Sequence, residues 1–193
     1  MEIITAALSE IAEAIASKSE ITKFWEGLDE KFTNPIMNWW DNLDSYEQGL
    51  SMEEKIKLKH ETGWSNEIID AIESREEAEI FKKAGLIDGE INGKKCLLRG
   101  DIDLNQLDEK GRTNSERMEK GLAPLDRDGR SIELHHIGQK SDAPLAELTH
   151  AEHHSNGNDG ILHDKTKESE IDRQGFDKER QEHWKSRGDN KNG

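Results

Sequence analysis

Hydrophobic positions in the first sixty residues recur at helical spacing. Ile4, Leu8, Ile11 and Ile15 fall four and three apart, on one face of a helix. Ile21, Phe24, Trp25, Leu28 and Phe32 form a second stripe, stopped by Asn34-Pro35. Ile36, Trp39, Trp40 and Leu43 make a third, shorter one. Such stripes serve as a helix-to-helix core or as a docking face, because a short helical segment buries little by itself. Ser51-Met-Glu-Glu54 and Ser74-Arg-Glu-Glu77 both have capping-box spacing, which predicts helix starts. Between them, Ser65 is placed to cap a helix carrying Ile68, Ile69 and Ile72, with Trp64 stapling onto Ile69. Gly85 is a left-handed terminator for the helix that follows.

Beyond residue 90 the period shortens. In EINGKKCLL (90–98), Asn92-Gly93 predicts a two-residue hairpin turn. Residues 105–129 read as loop around a short helix opened by Thr113. Ile132 to Ile137 alternates as a strand does, 143–148 suits a returning strand, and Thr149 can cap a helix. From Ser169 to Arg187 the pattern is helical again, with Phe176, Arg180 and Trp184 on one face. The pattern is α+β: a helical N-terminal region, then two strands and a helix in about thirty residues.

Composition narrows the picture. Hydrophobic residues are 32% and charged residues 36% of 193, so any core is modest. The longest apolar runs are far shorter than a bilayer span, and the start lacks a basic segment followed by an apolar one. No membrane span and no cleaved secretory signal are expected. Cys96 is the only cysteine, which excludes a disulfide framework and a paired-cysteine zinc knuckle. A metal site must then use His, Asn and carboxylates. The net charge of −15 is uneven: 9 Lys+Arg against 21 Asp+Glu up to Gly93, and 18 against 21 after it. Nucleic acid, which binds through phosphate neutralisation, would meet the second half.

Six of the eight histidines lie in SIELHHIGQKSDAPLAELTHAEHHSNGNDGILHD, residues 131–164. Neighbours on a strand point to opposite faces, so His135 and His136 serve one site only if the strand bends or the site wraps round its edge. His150 and His154 are four apart and His150 and His153 three apart, and either pair is suited to metal ligation from a helix. Spacing does not choose between them.

The run GLAPLDRDGRSIELHHIGQKSDAPLAELTHAEHHSNGNDGILHD resembles the LHH group of the HNH/endonuclease VII nuclease superfamily. Leu134-His135-His136 is the defining piece. GLAP (121–124), AELT (146–149), Glu152-His153, Gly157-Asn158, Leu162-His163 and ERQEHWKSR (179–187) support it. The upstream run TGWSNEIIDAIESREEAEIFKKAGL resembles the segment preceding this domain in bacterial polymorphic toxins, so the likeness covers about 62–187. It implies a ββα-metal (His-Me finger) nuclease domain at 62–193, with its core at about 131–165. Residues 1–61 are then an acidic helical connector or docking region.

By position, the resemblance makes His135, His153 and His163 metal ligands, with Asn158 a ligand or orienting group. It makes His136 the general base, and His150 and His154 bystanders. Glu133 is a candidate to orient a ligand; Arg127, Arg130 and Arg180 are candidates to hold the substrate backbone. One divalent cation is implied, zinc, magnesium or nickel. The implied activity is phosphodiester hydrolysis, of DNA before RNA, by a bacterial toxin delivered by a secretion system into a target cell and neutralised by an immunity protein. The alternatives are an RNase on the same scaffold and a non-enzymatic binding module with a structural cation.

Overall fold

The computed structural model describes residues 49–166 and 172–189, so the three apolar stripes before residue 44 lie outside the described residues. The chain divides into two compact units, one ending at Lys57 and the other beginning at Leu58. Helix α1 (Met52–Thr62) opens with Ser51 and Glu54 bonding each other's backbone N–H reciprocally, as the sequence predicts. Helices α2 (Asn66–Ala71) and α3 (Arg75–Lys83) follow, and bury Ile68, Ile69 and Phe81. Gly85 ends this run at φ +65°.

Two hairpins make one sheet. Strands β1 (Ile87–Ile91) and β2 (Lys94–Leu98) are antiparallel, joined by Asn92 and Gly93 with φ values of 55° and 75°. Both turn residues are left-handed, which lets the turn follow the strand twist. Strands β3 (Glu133–His136) and β4 (Leu145–Leu148) form the second antiparallel pair. Parallel pairing of Cys96 with Leu145 and Leu97 with Ala146 fuses them in the order β1-β2-β4-β3. Every residue of the interior strand β4 is buried, whereas β3 is an edge strand.

A cluster of Ile91, Cys96, Met118, Leu134, Leu145 and Trp184 forms the core. It is closed by α4 (Asn114–Glu119) packed on the long helix α7 (Arg173–Asp189). Buried Glu147 ties these parts together, accepting hydrogen bonds from the Arg99 backbone N–H at 2.8 Å, His183 Nε2 at 2.8 Å and Arg187 Nε at 3.2 Å. The two remaining helices, α5 (His150–His154) and α6 (Asn158–Leu162), follow β4 directly. Thr149 and Glu152 form a complete capping box at the start of α5.

Candidate metal centre

Strand pleating separates the adjacent histidines. The ring of His135 meets those of His153 and His163, with Phe81 behind it, while the ring of His136 meets Phe176 of α7. Because β3 is an edge strand and ends at His136, both faces are reachable round one edge. The chain turns away there through Gly138 and Gln139, at φ 64° and 58°. A Cβ on Gly138 would stand 2.6 Å from the Ala71 carbonyl oxygen, so glycine is required by space as well as by dihedral angle.

His135, His153 and His163 present ligand atoms that all lie within 4.8 Å of one another. His135 Nδ1 and His153 Nε2 are 3.3 Å apart. Two nitrogens each about 2.0–2.1 Å from a tetrahedral zinc stand ~3.3 Å apart, so this pair already has the spacing of ligands to one ion. The third ring is brought in by the sharp Asn156-Gly157 turn, both left-handed, which starts α6 and lets His163 end it. Among the described residues no fourth side chain joins the group.

Behind each imidazole stands a carboxylate. Glu133 Oε2 is 2.5 Å from His153 Nδ1, Asp159 Oδ1 is 3.1 Å from His163 Nδ1, and Glu77 Oε1 is 3.7 Å from His135 Nε2. A carboxylate on the far nitrogen fixes a ligand's tautomer and raises its basicity. The His135 contact is too long for a hydrogen bond, and its buried Nε2 has no partner. If His135 Nδ1 carried the proton towards His153, an Nε2 lone pair would face the Glu77 oxygen. Binding a cation at Nδ1 puts the proton on Nε2, opposite the carboxylate, and removes that conflict. The residues fit a metal ion.

Their electrostatics agree. Burial holds His135 below the ordinary imidazole range, and burial likewise brings His153 down to about 4 against the pull of Glu133. Both rings are therefore neutral at pH 7, the form that binds metal. Burial would raise Glu133, but hydrogen bonds from His150 and His153 outweigh it and hold the carboxyl below its usual range. Asp159 is brought to about 2, chiefly by Lys165.

His136 has a different setting. It is buried, with Nε2 2.9 Å from Glu179 Oε2, and Lys94 Nζ lies 2.6 Å from the other Glu179 oxygen. Burial lowers its pKa more than Glu179 raises it.

Residues 113–190 match a family model described as a nuclease of the HNH/ENDO VII superfamily with conserved LHH. This segment is similar to the LHH nucleases. No solved structure matches the chain. The small mixed sheet with flanking helices is consistent with an HNH-type fold, and nucleic acid is the substrate class that this family implies. Among the described residues no helix is long and apolar enough to cross a membrane.

The described residues gather some sequence candidates and not others. Glu133, His135, His153 and His163 come together. Asn158 does not join them: its amide donates to the Glu152 carbonyl at 2.7 Å, and the residue lines a cleft of about 530 Å³ beside α3. His150 and His154, expected to be bystanders, both contact Glu133. Arg180 lies over the Phe176 ring at 5.0 Å and pairs with Asp177. Arg127 is exposed on a cleft of about 270 Å³ shared with Arg99, Asp101 and Thr149, and Arg130 is exposed beyond it.

Glu77, Asp159 and Glu179 were missed. Asp159 had a signal, four residues before His163 on a helix. Glu179 stands in the sequence only as the first residue of the run ERQEHWKSR (179–187). Glu77 read as the third residue of a capping box, and that expectation is only half met. Ser74 accepts from the Glu77 N–H, but the Glu77 carboxylate reaches the N–H groups of Glu73 and Gly138 instead. A local rule gives way where the side chain faces the site.

Proposed function

We propose that the domain is a cation-dependent endonuclease. His135, His153 and His163 hold one divalent ion, and His136 is the general base that hydrolyses a phosphodiester bond, in DNA before RNA. The observation carrying this reading is three converging imidazoles, each backed by a carboxylate, with no fourth protein ligand among the described residues. Structural sites close their coordination with four protein ligands, whereas catalytic sites leave a position open, which argues against a purely structural cation. An imidazole set favours zinc or nickel over magnesium.

Glu179 accepts the Nε2–H of His136 and so leaves the Nδ1 lone pair to take a proton from the attacking water. Burial keeps that ring neutral at pH 7, ready for the task. When bound, the cation supplies charge compensation at the scissile phosphate and the departing oxygen. Glu133, Asp159 and Glu77 hold the ligand rings in place. Arg180, beside the Phe176 ring that flanks His136, is positioned to meet the substrate backbone, with Arg127 and Arg130 as further contacts.

The polymorphic-toxin likeness of residues 62–86 supports a role as a toxin delivered into a neighbouring bacterial cell, with an immunity protein protecting the producer. Incubating the purified chain with plasmid DNA and with total RNA, with and without chelator, tests the activity. DNA cleavage abolished by chelator is expected. Cleavage of RNA alone would move the substrate, and cation binding with no cleavage of either would leave the binding-module alternative standing.

A further inference from the structure

On the outer side of Glu133 lies a second cluster. His150 and His154, one turn apart on α5, and Glu133 present ligand atoms within 4.8 Å of one another. Glu133 Oε1 is 3.0 Å from His150 Nδ1, and Oε2 is 2.9 Å from His154 Nε2. The two imidazole rings are 4.8 Å apart. Their side chains are 44% and 37% exposed, so water can complete a coordination shell there. An imidazole pair at this helical spacing facing a carboxylate is a donor set for zinc-like cations.

We propose that Glu133, His150 and His154 form a second divalent-cation site, weaker than the inner one, and that filling it opposes the inner one. The inference rests on the reading of His135, His153 and His163 given above. Glu133 couples the two sites, because the oxygen that meets His154 also holds His153 Nδ1 at 2.5 Å. A cation drawing on that carboxylate weakens its grip on His153, and the two positive ions repel through it. Coupling of this kind is reciprocal: the inner ion lowers outer affinity by the factor by which the outer lowers the inner. Two of the inner ligands, His135 and His153, are buried, whereas the outer ones compete with water, so the inner site fills first. Cleavage should rise up to one equivalent of cation and decline in excess.

Calorimetric titration of zinc into the metal-stripped chain tests this. The wild type should take two ions, the second at least about tenfold more weakly, within the usual range of site coupling. The double variant His150→Ala/His154→Ala should take one ion at the tight site and lose the inhibition by excess zinc. A single ion in the wild type held equally by the double variant, or two ions still bound by that variant, would overturn the proposal. His135→Ala separates the two readings: it should remove the tight event and spare the outer one. If the tight event survives His135→Ala, the inner-site reading fails, while loss of the second event in the double variant would still uphold the outer site.

Discussion

His136 and His135 are adjacent in sequence and do different work because pleating turns their rings to different faces. His136→Ala should lower cleavage by about 10²–10⁴-fold, the usual scale of general-base catalysis, and leave zinc affinity unchanged by calorimetry. A matching loss of affinity would make His136 a ligand instead. Glu77→Gln keeps the size of the side chain and removes the charge opposite His135 Nε2. It should weaken zinc binding by roughly 10–100-fold, the usual cost of losing a carboxylate behind a ligand. Unchanged affinity, with only a lower melting temperature, would reduce Glu77 to a bond for Gly138.

Protonation acts on the same rings. His153 titrates near 6.5 when unfolded and at about 4 in the folded chain, where burial disfavours its charge. Between those values the unfolded chain binds more protons, so acid favours unfolding. The metal-free chain should lose melting temperature as pH falls from 6.5 towards 4, with no contribution from this ring above 6.5. His153→Gln should flatten that slope, and an unaltered slope would assign it elsewhere.

Among the elements, those with local signals were legible. The Asn92-Gly93 turn, the Thr113 and Thr149 caps and strand β3 all follow from neighbouring residues, and each is present. The parallel pairing of β2 with β4 carries no local signal, since it joins Cys96 to a residue almost fifty positions away through a buried face. The same holds for Glu77, whose carboxylate meets a ring 58 positions later. The grouping of His135 with His163 follows from the family resemblance, whereas spacing alone leaves His150 to pair with either His153 or His154. Gly138 shows how closely α2 and the turn after β3 fit. Gly138→Ala should destabilise the fold by at least about 1–2 kcal/mol from the left-handed backbone alone, plus the clash with Ala71. Urea unfolding with an unchanged midpoint would show that the turn relaxes freely.

At the scale of the whole molecule, the matched segment 113–190 does not contain the complete site. Strands β1 and β2, helix α3 and Glu77 all precede it. The excess of negative charge lies in the first half of the sequence, whereas the half that carries the histidine-rich segment is nearly balanced. The central claim is that one divalent ion sits among His135, His153 and His163, and crystals grown with zinc test it most directly. An anomalous-difference map at the zinc absorption edge should place the strongest peak about 2.0–2.1 Å from His135 Nδ1 and from His153 Nε2, with His163 as the third ligand. No peak among those rings, with zinc bound elsewhere on the chain, would contradict the account.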